Sequence, residues 1–203
     1  MSIIDRLSEH FARFPGIGER QARRFVYFLL KAENGYVKDF LESIVALKKN
    51  VARCQSCFHF FESADGKLCA LCASPATDQS LLMIMEKDSD LENFAQSGTY
   101  RGRFFVLGGL VPITEKNTEK KVRAGELLAA AQSAAASGLK EIILAFAASP
   151  QGEHTESYLR KILTPLSAKY GFKISSLGRG LSTGAELEYT DPDTLKNALK
   201  NRA

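Results

Sequence analysis

Apolar residues at Ile4, Leu7, Phe11 and Phe14 recur at the spacing of one helix face, behind Ser2 as a candidate N-cap. After Pro15-Gly16-Ile17-Gly18 the spacing resumes at Ala22, Phe25, Val26, Leu29 and Leu30. A third helical stripe follows at Val37, Phe40, Leu41, Ile44 and Leu47, and is expected to complete a small bundle. From residue 81 the texture changes to short apolar runs between helical stretches. Strands are expected at Leu81–Met85, Phe104–Leu107, Glu141–Ala145 and Lys173–Ser176, and helices at Asp88–Gln96, Ala124–Ser137 and Thr155–Tyr170. Such alternation builds a parallel sheet with helices on its faces. The alanine-rich helix over 124–137 can pack closely. Pro165 lacks an amide hydrogen and is expected to kink the last helix or end it early.

Composition narrows the class. The chain has 203 residues, 45% hydrophobic and 25% charged, which excludes collagen-like, coiled-coil and disordered chains. No run reaches the roughly 18 apolar residues of a membrane span. Asp5 and Glu9 interrupt any signal-peptide core, so the cytoplasm is the expected compartment. The net charge of +4 is unevenly placed. Residues 1–53 hold 10 Lys and Arg against 6 Asp and Glu, while the remainder holds 17 of each. Such an excess suits a polyanionic partner, and is also within ordinary fluctuation.

All the cysteines fall in one block, Cys54, Cys57, Cys69 and Cys72, as two C-x2-C pairs eleven residues apart. Two such knuckles place four thiolates at the corners of a tetrahedron about 2.3 Å from a zinc ion. Ala64-Asp65-Gly66 is a turn signal that folds the second pair onto the first. Two disulfides suit a secreted chain better than this one, and a redox C-x-x-C needs only one pair. The reading is one structural Zn2+ per chain, with no position left open for water. His59, inside the loop, is a spare ligand or, as expected here, a surface histidine.

The turn at 15–18 carries a second chemistry. Gly16 and Gly18 permit a tight turn and leave backbone N–H groups uncovered at the start of a helix, where the dipole favours an anion. Arg20, Arg23 and Arg24 follow, with Arg20 and Arg24 four apart on one face. This is the pattern of a helix-hairpin-helix that holds DNA phosphates without reading sequence. A plain helical hairpin with a solvated arginine face is the alternative.

In a parallel sheet, function gathers at the carboxyl ends of the strands. Here these carry Glu86, Gly108-Gly109 and the stretch from Ala147 to Glu153. Two glutamates, Glu86 and Glu153, make a poor magnesium site. No P-loop motif occurs. Ser149, Glu153 and His154 lie too close in sequence to be read as a triad.

Helix-hairpin-helix, four-cysteine knuckle and α/β domain, in that order, resemble the bacterial recombination-mediator family RecR over nearly the whole chain. The resemblance rests on Phe14-Pro-Gly-Ile-Gly18 with Gln21-Ala22, the double C-x2-C, Tyr100-Arg-Gly-Arg-Phe-Phe-Val-Leu-Gly-Gly109, Gly152-Glu153, and Gly178-Arg-Gly-Leu-Ser-Thr-Gly-Ala-Glu-Leu-Glu-Tyr189. It implies an α/β chain divided into a helix-hairpin-helix region (1–53), a four-cysteine zinc finger (54–78), a Toprim-like domain with a parallel sheet (79–176) and a C-terminal oligomerisation segment (177–203). It further implies a non-enzymatic, ring-shaped homotetramer that clamps single- and double-stranded DNA without sequence specificity. Its partners would be RecO and RecF, its task to load RecA onto single strands coated by SSB, and its place the bacterial cytoplasm at the nucleoid. Gly16, Gly18, Arg20 and Arg24 take the DNA-binding role. Glu86 and Glu153 match Toprim acidic positions without catalytic function, because Ala147 and Ser149 stand where active enzymes carry aspartates.

The chain departs from that pattern in two places. The loop over 111–123 is basic and poor in glycine, with Lys116, Lys120, Lys121 and Arg123 as either an added contact or a solvated loop. Ala147–Gln151 replaces a more polar stretch. Two rival readings follow from the same residues. One is a Toprim nuclease or primase using Glu86 and Glu153 with Mg2+, and the other is a zinc-braced scaffold that does not bind DNA.

Overall fold

The computed structural model describes residues 1–63, 66–114 and 121–201; the turn read at Ala64-Asp65 and the loop lysines Lys116 and Lys120 lie outside them. The chain divides into two compact units, Met1–Val51 and Ala52–Ala203.

The first unit holds α1 (Ile3–Ala12), α2 (Glu19–Lys31) and α3 (Asn34–Asn50). Ser2 caps α1 as expected. Its hydroxyl accepts from the Asp5 N–H at 3.1 Å, and the Asp5 carboxylate accepts from the Ser2 N–H, a reciprocal box that satisfies two orphan donors. The same bonds hold the Asp5 carboxyl below its ordinary range. α1 and α2 form a packed hairpin. Ala22 and Val26 are buried, and the Phe11 and Phe25 rings meet edge to face with centroids 5.5 Å apart. Across the hairpin, Arg23 donates to Asp5 at 3.0 Å.

The third helix forms where expected but does not close a bundle: no residue of α3 is buried. Its apolar stripe and those of α1 and α2 line an open channel of about 650 Å³. The pattern for burial is present in α3, yet nothing in the described residues of this unit fills that channel.

The second unit begins as the chain leaves α3. β1 (Val51–Arg53) pairs with β2 (Phe60–Glu62) in a short ribbon, and the one-turn α4 (Ala70–Ala73) follows. The main sheet is built from β3 (Asp78–Met85), β4 (Gly102–Val106), β5 (Glu141–Ala145) and β6 (Lys173–Ser176). Its order is β4-β3-β5-β6 and every pairing is parallel, with Met85 opposite both Val106 and Ala145. The connections carry α5 (Asp88–Ser97), α6 (Ala124–Ala136) and α7 (Pro150–Tyr170), and the chain ends in α8 (Pro192–Lys200).

Alternation along the strands sorts side chains onto two faces. Leu82, Ile84, Phe105, Ile142 and Leu144 pack with Leu127 and Ala131 of α6 and Leu159 and Leu163 of α7. Met83, Met85, Phe104, Val106 and Ala145 pack instead with Leu91 of α5 and with Cys54, Cys57 and Cys69. The cysteine segment is thus part of the layer that covers one face of the sheet.

One helix boundary differs from the sequence expectation. α7 begins five residues earlier, with Ser149 as N-cap accepting from the Gly152 N–H at 3.1 Å and Pro150 in the first turn. It ends at Tyr170 as expected, running through Pro165 rather than stopping early there. Pro165 and Lys161 are both exposed, so the Lys161 carbonyl that loses its helical partner can turn to water. Buried Leu159 and Leu163 anchor the opposite side of the helix.

Candidate metal centre and nucleic-acid interface

The four cysteine sulfurs lie within 4.8 Å of one another, Cys57 Sγ and Cys69 Sγ being 3.6 Å apart. A tetrahedron with metal–sulfur bonds of about 2.3 Å has edges of about 3.8 Å, whereas a disulfide needs about 2.05 Å. All four thiols are free. The set therefore fits a tetrahedral, thiolate-bound metal ion and excludes the disulfide alternative.

Local backbone geometry builds this cage. The Phe58 N–H donates to the Cys54 carbonyl at 3.0 Å, and the Cys54 N–H to the His59 carbonyl at 2.8 Å, closing the first knuckle. Phe58 takes φ of 63°, the one non-glycine with positive φ among the described residues. A side chain there is strained. The Phe58 ring is held 5.2 Å from that of Phe105, with the Arg123 guanidinium over it. The Gln55 N–H donates to the Lys67 carbonyl, joining the two knuckles, and the Val106 N–H donates to the Cys57 carbonyl, hooking the cage to β4.

Crowding splits the acidity of the thiols. Hydrogen bonding, from Cys57 above all, draws Cys72 down to about 5. Burial pushes Cys69 up to about 11, while the bond to Cys72, and then burial, pushes Cys57 up. A cation at the centre is what lets all four ionise together. His59 is neither a ligand nor a surface residue. Its Nδ1 lies 3.0 Å from Asp88 Oδ1 and its side chain is 13% exposed.

In the hairpin, Gly16 has φ of +76° with open space around it, so the turn needs glycine for conformation rather than for room. Gly18 is the extended N-cap of α2, and no side chain caps the first turn. The three arginines are not equivalent. Arg23 is engaged by Asp5 and braces the hairpin. Arg24 is exposed and touches Gln21 at 3.2 Å, and exposed Arg20 has no side-chain partner among the described residues. Arg20 and Arg24 are thus exposed on α2 without an ion pair among the described residues, as is Arg13 at the end of α1.

The strand-end cleft is arranged differently. β3 has β4 on one side and β5 on the other, so the order of strand addition reverses between β3 and β5 while all strands stay parallel, with Glu86 and the start of α7 at that point. Glu153 there is engaged by Arg179 at 2.5 Å, which reaches Glu156 at 3.4 Å. Glu156 also accepts from the Ser176 hydroxyl, itself bonded by Arg160. The Ser149 hydroxyl is occupied in capping α7. Among the described residues, the cysteines are the one set of three or more His, Cys, Asp or Glu side chains that converges. Arg179 and Glu156 carry no signal in the sequence, since nothing periodic links position 179 to 153. In the basic loop, partly buried Arg123 turns inward and donates to the Val106 carbonyl at 2.7 Å.

Known proteins match along the whole chain. Residues 4–48 match the family profile described as "RecR, helix-hairpin-helix", residues 80–178 "Toprim domain", and residues 180–203 "RecR, C-terminal". The chain is 35% identical over 199 residues to "Recombination protein RecR" of Roseiflexus sp. (strain RS-1), covering 98% of this chain and 92% of that one. It is 32% identical over 199 residues to the protein of the same name from Chlorobium chlorochromatii (strain CaD3), covering 98% and 95%.

Proposed function

The chain belongs to the RecR family of recombination proteins, and on that premise we propose that it is a non-enzymatic, DNA-clamping mediator of recombinational repair. It acts as a ring of four copies, with RecO and RecF, to load RecA onto single strands coated by SSB. The observation that carries this reading is the hairpin. Behind its glycine turn, Arg20 and Arg24 are exposed and carry no ion pair among the described residues, in the segment that matches the family's helix-hairpin-helix.

Gly16, Gly18, Arg20 and Arg24 contact phosphates of single- or double-stranded DNA. A few such contacts bind weakly alone, and repeating them around a closed ring raises the effective concentration of each. The open apolar channel of the first unit supports self-association, as do the exposed Leu181, Leu187, Tyr189 and Leu199 of the C-terminal segment. Soft thiolates at tetrahedral spacing favour Zn2+ as the resident ion, one per chain and structural, held by Cys54, Cys57, Cys69 and Cys72. Bound there, it supplies a cross-link between the knuckles. Glu86 and Glu153 stay non-catalytic, a reading favoured by the pairing of Glu153 with Arg179. The functional division follows residues 1–53, 54–78, 79–176 and 177–203.

The test is RecA filament assembly on SSB-coated single strands with RecO present. The chain accelerates assembly, Arg20→Ala/Arg24→Ala does not, and Glu86→Gln retains the effect. Magnesium-dependent DNA cleavage lost in Glu86→Gln would establish the Toprim enzyme instead.

A further inference from the structure

We propose that Arg179 is a positioning residue for assembly: it latches the C-terminal segment to the end of the sheet and holds that segment's apolar side chains in the placement a second copy meets. This rests on the self-association reading above and adds to it the contact that sets the placement.

Arg179 follows two residues after Leu177, whose N–H donates to the Leu144 carbonyl at 3.2 Å. Its guanidinium bridges two carboxylates of α7. Nη1 donates to Glu153 at 2.5 Å and Nη2 reaches Glu156 at 3.4 Å. These glutamates are three residues apart and share one face of the helix, a spacing that suits a planar guanidinium fork better than a single ammonium. The Glu156 side chain is 12% exposed, and its second oxygen accepts from the Ser176 hydroxyl at 2.6 Å. That hydroxyl accepts from Arg160, which also donates to the Ile174 carbonyl, so the receiving end of the latch is tied to β6. The far end of the segment returns to the same point, where the Asn201 side chain donates to the Arg179 carbonyl at 2.7 Å. Residues 179–201 therefore form a loop closed at Arg179, and Leu181, Leu187 and Tyr189 lie within it.

Within the chain, polar bonds rather than a core hold this loop: no residue from 177 to 201 is buried. Cavities of about 440 and 610 Å³ share Glu153, Arg179, Asn197 and Lys200 in their walls, so α8 stands over the end of the sheet across open space. A segment held in this way opens as a local unit at lower free energy than the sheet beneath it. Closing the loop at Arg179 orders its apolar residues before a second copy arrives, and less ordering is then left to oppose association. An open loop carries the same residues but is not competent, so the apparent affinity between copies falls with the docked fraction.

Sedimentation over a concentration series reads the native mass. Hydrogen exchange followed by mass spectrometry reads the opening of α8 against that of β3 and β5. The variants are Arg179→Ala, the isosteric pair Glu153→Gln/Glu156→Gln, and all three changes together. Arg179→Ala is expected to speed exchange across α8 by about 30-fold, with β3 and β5 as in the parent. Half-assembly should move to higher concentration in proportion to the docked fraction lost. The glutamine pair should act in the same direction, and the triple variant should be no worse than Arg179→Ala, because all three residues work through one contact. Unchanged exchange in α8 overturns the latch. Equal acceleration in the sheet also overturns it and makes Arg179 a general brace of the unit. Additive losses in the triple variant overturn it by placing the effects in separate contacts. A parent that sediments as a single chain at every concentration removes the self-association reading and the role of Arg179 with it. An assembled parent whose variants assemble equally well removes the role of Arg179 alone.

Discussion

Replacing Arg20 and Arg24 by alanine removes two exposed cations of α2 that carry no ion pair among the described residues, while Arg23 stays on Asp5. Counterion release sets the size of the effect. Each phosphate neutralised on a single strand contributes about 0.7 to the slope of log affinity against log salt. Two lost contacts per engaged hairpin lower that slope by about 1.4, which at 0.1 M salt is about 25-fold in affinity. On a duplex, at about 0.9 per phosphate, the loss is about 60-fold. The assay is anisotropy of a labelled strand over a salt series from about 0.02 to 0.2 M, within which the two lines should converge as salt rises. Arg23→Ala is the internal control. Its slope should change by much less than one, and any loss should come with a lower unfolding midpoint, because its ion pair braces α1 on α2. An unchanged slope in the double variant would refute the argument, since it would mean that neither arginine displaces a counterion. A slope change for Arg23→Ala as large as for Arg20→Ala would refute the division of labour among the three.

Cys69→Ser should abolish stoichiometric metal, read by elemental analysis as a fall from one ion per chain toward none, with a large loss of stability; full retention would exclude the four-thiolate cage. Gly152→Ala should destabilise the second unit by about 2–3 kcal/mol in urea unfolding, because its Cβ would stand 2.1 Å from the Ala147 carbonyl oxygen; a variant as stable as the parent would contradict the packing of α7 on the end of β5. Arg179→Ala breaks bonds to Glu153 and to Glu156, and should cost about 2 kcal/mol. It should also speed proteolysis after residue 177, detected by mass spectrometry.

β3, β4 and β5 are readable in the sequence because their buried residues face both layers and appear as short apolar runs between turn signals; the edge strand β6, with no buried residue, also lies where it is expected. The cysteine cage is equally readable, since knuckle spacing translates directly into tetrahedral geometry. The first turn of α7 is harder to see, although Ser149-Pro150 is an N-cap followed by a first-turn proline. Those residues also end the β5 loop, and there they read as strand-end chemistry. Pro165 does not end the helix early because its cost depends on exposure, which a single sequence does not display. The stripe on α3 is correctly helical, but a stripe does not say what covers it. Arg179 with Glu153, and His59 with Asp88, are pairings made by the fold across 26 and 29 residues, and no local signal encodes them.

The covering of the sheet by the cysteine segment has a consequence for the chain as it is made. Cys54 to Cys72 leave the ribosome before β3, β4 and β5, yet the cluster they join runs to Ala145. At about 5–20 residues per second, the 73 residues between Cys72 and Ala145 take roughly 4–15 s to synthesise. The thiols spend that interval without the apolar floor that later shields them. An ion held by the proposed cage would enter it either while the chain is nascent, cross-linking two knuckles in advance of their support, or after release, by an opening of the cysteine layer. The first route ties the yield of finished protein to metal supply during translation; the second ties it to the opening of the cysteine layer.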